Sequence, residues 1–205
     1  MGLLKTVLEN AGNGDRMLIT FPDLYSFLFV SKWISENFGE PFWILWTDAA
    51  VERINHLGKK YGFPIEGDAL VVYSQKSCVF LHELEKVDFI EDLPEVVKKL
   101  PVNRDIIISF GLNFLPLYGI NINSAIRAII EHERGIMFTC IINNNSDVVN
   151  KLLSFHDVFI EVEKSEDPAI MYHTYTMALK YSIRDGIATL SDVLPIVDRD
   201  LSLDI

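Results

Sequence analysis

Short apolar runs of strand length alternate along this chain with stretches whose apolar residues recur every three to four positions. Residues 16–38, RMLITFPDLYSFLFVSKWISENF, set the pattern. Residues 17–21 read as a buried strand, and Pro22-Asp23 breaks it, because proline lacks an N–H and aspartate caps a following helix. Leu24, Phe27, Leu28, Ser31, Ile34 and Ser35 then fall at helical spacing, with Phe29, Val30 and Trp33 widening the apolar face. Gly39 and Pro41 end that helix. Residues 42–46, FWILW, are continuously apolar rather than alternating, as in a strand covered on both faces. Thr47-Asp48 opens a helix to Tyr61, with Thr47 as its cap, Val51, Ile54 and Leu57 facing inward and Gly62 as its stop.

Further strands are expected at 70–73, 105–110, 136–142 and 156–162. Helices are expected at 3–10, at 81–100 in two pieces broken near Leu93-Pro94, at 121–134 with Ile122, Ile126, Ile129 and Ile130 inward, and in a short segment ending at 154. Residues 111–119, with Pro116, read as a loop. This β-α alternation predicts an α/β fold in three layers, a mostly parallel central sheet between helices. After Asp167-Pro168 the pattern changes, and residues 169–182 and 183–190 read as antiparallel strands extending the sheet. With no repeat or linker, residues 1–205 are expected to form a single domain.

The composition narrows the function classes. The chain is 49% hydrophobic and 205 residues long, enough for a substantial core. Its net charge of −11, with no basic run, argues against direct nucleic-acid binding and against attraction to an anionic membrane. No apolar run approaches the length of a membrane span. Cys78 and Cys140 lie in apolar, strand-like runs and read as buried free thiols of a reducing compartment; the expected location is cytoplasmic. His56, His82, His132, His156 and His173 show no ligand spacing, and neither His82-Glu83 nor His132-Glu133 is completed to H-E-x-x-H, so no metal or other cofactor is implied. No G-x-S-x-G is present.

Taken in order, these segments resemble the RecA-like P-loop ATPases, and within them the KaiC/RadA branch. Residues 14–20, GDRMLIT, are similar to that branch's lead-in to its phosphate loop. Residues 42–48 are similar to the strand that ends in its catalytic acidic residue, residues 105–110 occupy the place of the Walker B strand, and residues 136–142 and 152–161 match its later strands. The resemblance implies a RecA-like domain, and rings or filaments as the habit of the family. The motif residues depart from it. Laid on G-x-x-x-x-G-K-[ST], the glycines fall on Phe21 and Ser26, the lysine on Phe27 and the hydroxyl on Leu28, while the Walker B aspartate falls near Ser109. The resemblance is therefore to a degenerate member, as in a small archaeal group of such proteins. It implies loss of ordinary Mg-ATP hydrolysis, since phosphoryl transfer rests on positioning and charge neutralisation.

Strand carboxyl ends form the crevice where open α/β sheets bind ligands. They present Asp23 and Ser26 after the first strand, Asp48 after the second, Ser109 and Asn113 after the fourth, and Asn143 after the fifth. Asp48 stands where the family keeps its water-activating carboxylate; read without the family, it is a helix cap. Asp23 and Ser26 carry the same plain reading, and Asn143-Asn144-Asn145 reads equally as loop chemistry. Three functions stay open. The first is a catalytically inactive interaction or regulatory module that binds itself or a protein partner. The second is a noncanonical nucleotide or anion site at Asp23–Ser26, and the third an unrelated α/β enzyme using Asp48.

Overall fold

The computed structural model describes residues 11–61, 66–88, 106–131, 135–142, 146–164, 175–183 and 186–195. Among the described residues, nine strands form one sheet in the order β4-β3-β2-β5-β6-β1-β7-β8-β9. They are β1 (Arg16–Phe21), β2 (Phe42–Trp46), β3 (Asp68–Val72), β4 (His82–Val87), β5 (Ile106–Phe110), β6 (Ile136–Ile142), β7 (Val158–Lys164), β8 (Tyr175–Ile183) and β9 (Gly186–Pro195). The first seven are mutually parallel, and β8 and β9 continue the sheet antiparallel from β7. The helices among the described residues are α1 (Leu24–Phe38), α2 (Thr47–Tyr61), a 3₁₀ helix (Leu112–Tyr118), α3 (Ile122–Glu131) and α4 (Ser146–Leu153).

The pleat sorts the strand residues into two cores. Met17, Ile19 and Phe21 of β1, Trp43 and Leu45 of β2 and Ile108 and Phe110 of β5 join Phe27, Leu28 and Ile34 of α1 and Val51, Ile54 and Leu57 of α2. Leu18, Phe42, Ile44 and Trp46 face the other way, onto Leu112 and Leu115 of the 3₁₀ helix, Ile122, Ile126 and Ile129 of α3 and Val148, Val149 and Leu152 of α4. The result is a sheet between two helical layers. Each large apolar side chain so covered contributes about 1.5–3 kcal/mol. Phe27, Phe42, Trp46 and Phe110, at 1% exposed or less, are the main holders of the centre.

The sequence reading is corrected at several places. Residues 82–87, expected to be helical, form β4, an edge strand paired in parallel with β3 from Asp68↔His82 to Val72↔Val87. Its charges suit an exposed sheet edge as well as a helix face: of His82–Val87, only Val87 is buried. The rest of that expected helix, and the one at 3–10, lie outside the described residues. Residues 112–118 are a 3₁₀ helix rather than a loop. The strand expected from 156 begins at Val158. Cys140 lies in β6, but Cys78 lies in the connection from β3 to β4; both thiols are free and buried.

That connection, residues 73–81, is short for a parallel crossover and carries no helix. It is strapped across α2 instead. Asp48 holds its first turn, Glu52 pairs with Lys76 at 2.9 Å, and Asn55 binds both Ser77 O and Val79 N–H. At Gly58 an added Cβ would stand 2.5 Å from the Phe80 ring, so Phe80 rests on helix backbone. Positions 48, 52, 55 and 58 form one helical stripe, which explains how nine residues make the crossover without a helix of their own.

Candidate functional site

The chain leaves β1 for α1 through only two residues, Pro22 and Asp23. Asp23, with extended backbone, caps α1: its Oδ1 accepts the Ser26 N–H at 2.8 Å, and the Ser26 hydroxyl lies 2.9 Å from Asp23 O and 3.0 Å from Oδ1. The helix N-terminus is thus occupied by the chain's own carboxylate. One residue on, Phe27 stacks on Phe110 of β5, the ring centroids 4.4 Å apart and the planes 18° from parallel. Phe21 and Trp43 meet the same ring edge to face. The space between the ends of β1 and β5 is filled with aromatic carbon.

The polar candidates of this region are tied inward. Ser109 is fully buried and its hydroxyl accepts the Trp46 indole N–H at 2.8 Å, which locks β5 to β2. Asn113 is 8% exposed, and its Nδ2 donates to Ile142 O at 3.1 Å; its Oδ1 has no partner among the described residues. Asn143 lies outside the described residues. Asp23 and Ser26 pair with each other, while Ser109 and Asn113 are held separately by β2 and β6. The structure does not draw these four into one open site.

Asp48 stands in an open cleft. Strands β2 and β5 are neighbours whose following helices, α2 and α3, cover opposite faces of the sheet, so the chain diverges at their carboxyl ends, where open α/β sheets form ligand crevices. Gly111 leaves β5 at φ 90°, and an added Cβ there would lie 2.5 Å from Ala50 Cβ and 3.0 Å from Trp46 O. The first turn of α2 is pressed onto β5 at this point. The crevice opens beside it, above β2, β3 and β4, as a cleft of about 540 Å³ lined by Asp48, Tyr73, Ser74, Gln75, Asp88 and Tyr118.

One oxygen of Asp48 carries the strap. Its Oδ1 accepts from the Ser74 hydroxyl at 2.6 Å, the Gln75 N–H at 2.8 Å and the Lys76 N–H at 3.0 Å. The Ser74 bond leads in holding the carboxyl below its usual range; burial opposes it, and the Lys76 and Gln75 N–H bonds and the Lys76 charge add to the lowering. Asp48 pins the strap through one oxygen, and a carboxyl held below its usual range is a weak general base. The expected cap at Thr47 is not made. Thr47 begins α2 at φ 75°, fully buried, with no partner for its hydroxyl among the described residues. A β-branched residue in this region is strained by about 1–3 kcal/mol. Tyr73, at φ 52°, is the other non-glycine residue with positive φ among the described residues, and it leads the chain from β3 into the cleft rim.

Sequence reasoning reached Asp48 but missed Tyr73, Gln75, Asp88 and Tyr118. The signal was present in part: YSQ follows the apolar run LVV, so polar and aromatic groups stand at a strand's carboxyl end. Asp88 was hidden by the helical reading of 81–100. No group of three or more metal-ligating side chains occurs among the described residues, and no described helix is long and apolar enough to cross a membrane.

No family model matches the chain. Among solved structures it is similar to PH0250 of Pyrococcus horikoshii, with a TM-score of 0.59 and 15% identity over 98% of this chain and 96% of that one. It is similar to the KaiC-like protein PH0186 of the same archaeon, with a TM-score of 0.55 and 12% identity over 89% and 85% of the two chains. A third P. horikoshii protein, PH0321, solved with an unknown peptide, has a TM-score of 0.52 and 8% identity over 92% and 96%. These likenesses carry the fold, which is RecA-like: a mostly parallel sheet between helical layers with an antiparallel extension. A relative in sequence is an uncharacterized protein of Archaeoglobus fulgidus, 46% identical over 192 residues, or 94% of this chain and 97% of that protein. At that identity over nearly the full length of both, the chain belongs to the same family as the Archaeoglobus protein.

Proposed function

We propose that this chain is a RecA-like domain that does not hydrolyse Mg-ATP and works as an interaction or regulatory module, associating with itself or with a partner protein. The stacking of Phe27 on Phe110 carries the reading. On the P-loop pattern Phe27 stands in the lysine's place, and Phe110 closes the strand that would end in the metal's aspartate. Admitting a phosphate and its Mg²⁺ there requires opening an aromatic cluster whose loss costs about 3–5 kcal/mol per ring, with no cation gained in return. The two-residue turn at Pro22-Asp23 also leaves no loop of N–H groups to wrap a phosphate, and Asp23 already occupies the helix end. The same observation weakens the anion-binding alternative at Asp23–Ser26, and the three bonds on Asp48 weaken the enzymatic one. The P. horikoshii fold neighbour solved with a peptide gives precedent for such a fold holding a protein segment.

Sedimentation velocity across a range of concentrations, with and without millimolar MgATP, tests this reading. Self-association predicts species above the 23.4 kDa monomer that grow with concentration and are indifferent to nucleotide. A distribution that shifts with MgATP contradicts it.

A further inference from the structure

We propose that the cleft above β2, β3 and β4 is a binding site for an organic cation, a guanidinium or alkylammonium group. This goes beyond the module reading and does not rest on it, because the cleft is separate from the β1–α1 turn. At about 540 Å³ it lies in the range of small-ligand sites. Its aromatic wall is the pair Tyr73 and Tyr118, centroids 6.3 Å apart and planes at 83°, the two residues 39% and 40% exposed although large side chains usually find cover. Two rings set edge to face present one π surface and one edge to the same space, a geometry that receives a cation over a ring face.

Two carboxylates complete the chemistry. Asp48 is fixed, with its carboxyl held below the usual range, and the Ser74 hydroxyl and the Gln75 and Lys76 N–H groups all take Oδ1 rather than Oδ2. Asp88 stands exposed at the exit of β4 on the same cleft. The nearby lysines have their closest partners elsewhere: the Lys76 ammonium of the strap bonds Glu52 at 2.9 Å, while its charge also acts on Asp48 and Tyr118, and that of Lys86 in β4 lies 3.0 Å from Lys76 O and 3.3 Å from Glu83. Gln75 adds an exposed amide at the rim. Fixed anions beside open aromatic faces select a cation bearing N–H donors over an anion or a neutral apolar group.

The test is titration of the ¹⁵N-labelled full chain with acetyl-arginine amide, followed by amide shifts, beside its neutral isostere acetyl-citrulline amide. Asp88→Asn and Tyr118→Leu serve as variants, both at exposed positions, with folding checked by circular dichroism. The site predicts saturable shifts at Gln75, Tyr73 and Tyr118 at concentrations of order 1–10 mM, and binding weaker by about five-fold or more for citrulline and in each variant. Absence of saturation, equal binding of the citrulline compound, or binding untouched by both variants would overturn it. A further arm compares butylguanidinium with the peptide acetyl-Leu-Arg-Leu-amide. Tighter peptide binding assigns the cation to a protein side chain and parity assigns it to a free small-molecule guanidinium, and either result supports the site.

Discussion

At the scale of single residues, Asp48 is the clearest case of one side chain with two readings. Position alone makes it the counterpart of a catalytic carboxylate, and its surroundings make it a fastener. Asp48→Ala removes the acceptor of one hydroxyl and two backbone N–H groups, and we expect a loss of about 1–3 kcal/mol in urea unfolding. Asn there keeps one acceptor oxygen and should recover part of the loss. A stability unchanged in the alanine variant would contradict the fastener role. His156 gives a pH signature. Its Nδ1 donates to Leu152 O at 2.7 Å and its Nε2 accepts from the Thr139 hydroxyl at 2.8 Å, which fixes the neutral tautomer. Burial, chiefly, lowers its pKa from 6.5 to about 4. The unfolded chain therefore binds the proton more readily, so the contribution of neutral His156 is complete above pH 6.5, falls as pH drops toward 4, and costs about 3 kcal/mol below that. Comparison with His156→Gln in chemical denaturation from pH 7 to 4 checks this: the wild type should lose more stability over that window, and parallel curves would contradict the assignment.

At the scale of elements, the readable parts were those whose local pattern and tertiary role agree. Helix α1 buries Ser26–Ser31, Trp33 and Ile34, as its spacing and widened apolar face indicate, and Asp23 caps it as its position before the helix suggests. Strands β1, β2, β5 and β6 are apolar runs buried on both faces, so composition alone places them. Strand β4 was not readable, because HELEKV carries its charges on a sheet edge and gains its strand from pairing with β3 rather than from its own pattern. The strap was equally hidden, since Asp48, Glu52, Asn55 and Gly58 acquire meaning only when residues 74–80 are laid across them. Gly58→Leu should lift Phe80 from α2 and lower Tm by several degrees, as for a loss of about 1–3 kcal/mol. Gly58→Ala should do so less, and a Tm unchanged in both would mean that Phe80 does not need that bare backbone.

At the scale of the whole molecule, the order of strands is what made the RecA-like layout visible, and the motif positions are where that layout and chemistry part. The fold retains a crevice at the carboxyl ends of its parallel strands. At β1 and β5 it is closed by stacked phenylalanines; beside α2 it is open, lined by tyrosine and carboxylate. Neither arrangement could be read from spacing, because both depend on which side chains meet after the sheet assembles. The net charge of −11 opposes a polyphosphate ligand at long range, in keeping with the missing lysine. Isothermal titration of the intact protein with MgATP and then MgADP, at millimolar nucleotide, tests the central claim most directly. The filled space between Phe27 and Phe110 predicts heats no larger than dilution for both; a saturable heat for either, abolished by enlarging Ser26 to Leu at the start of α1, would contradict it.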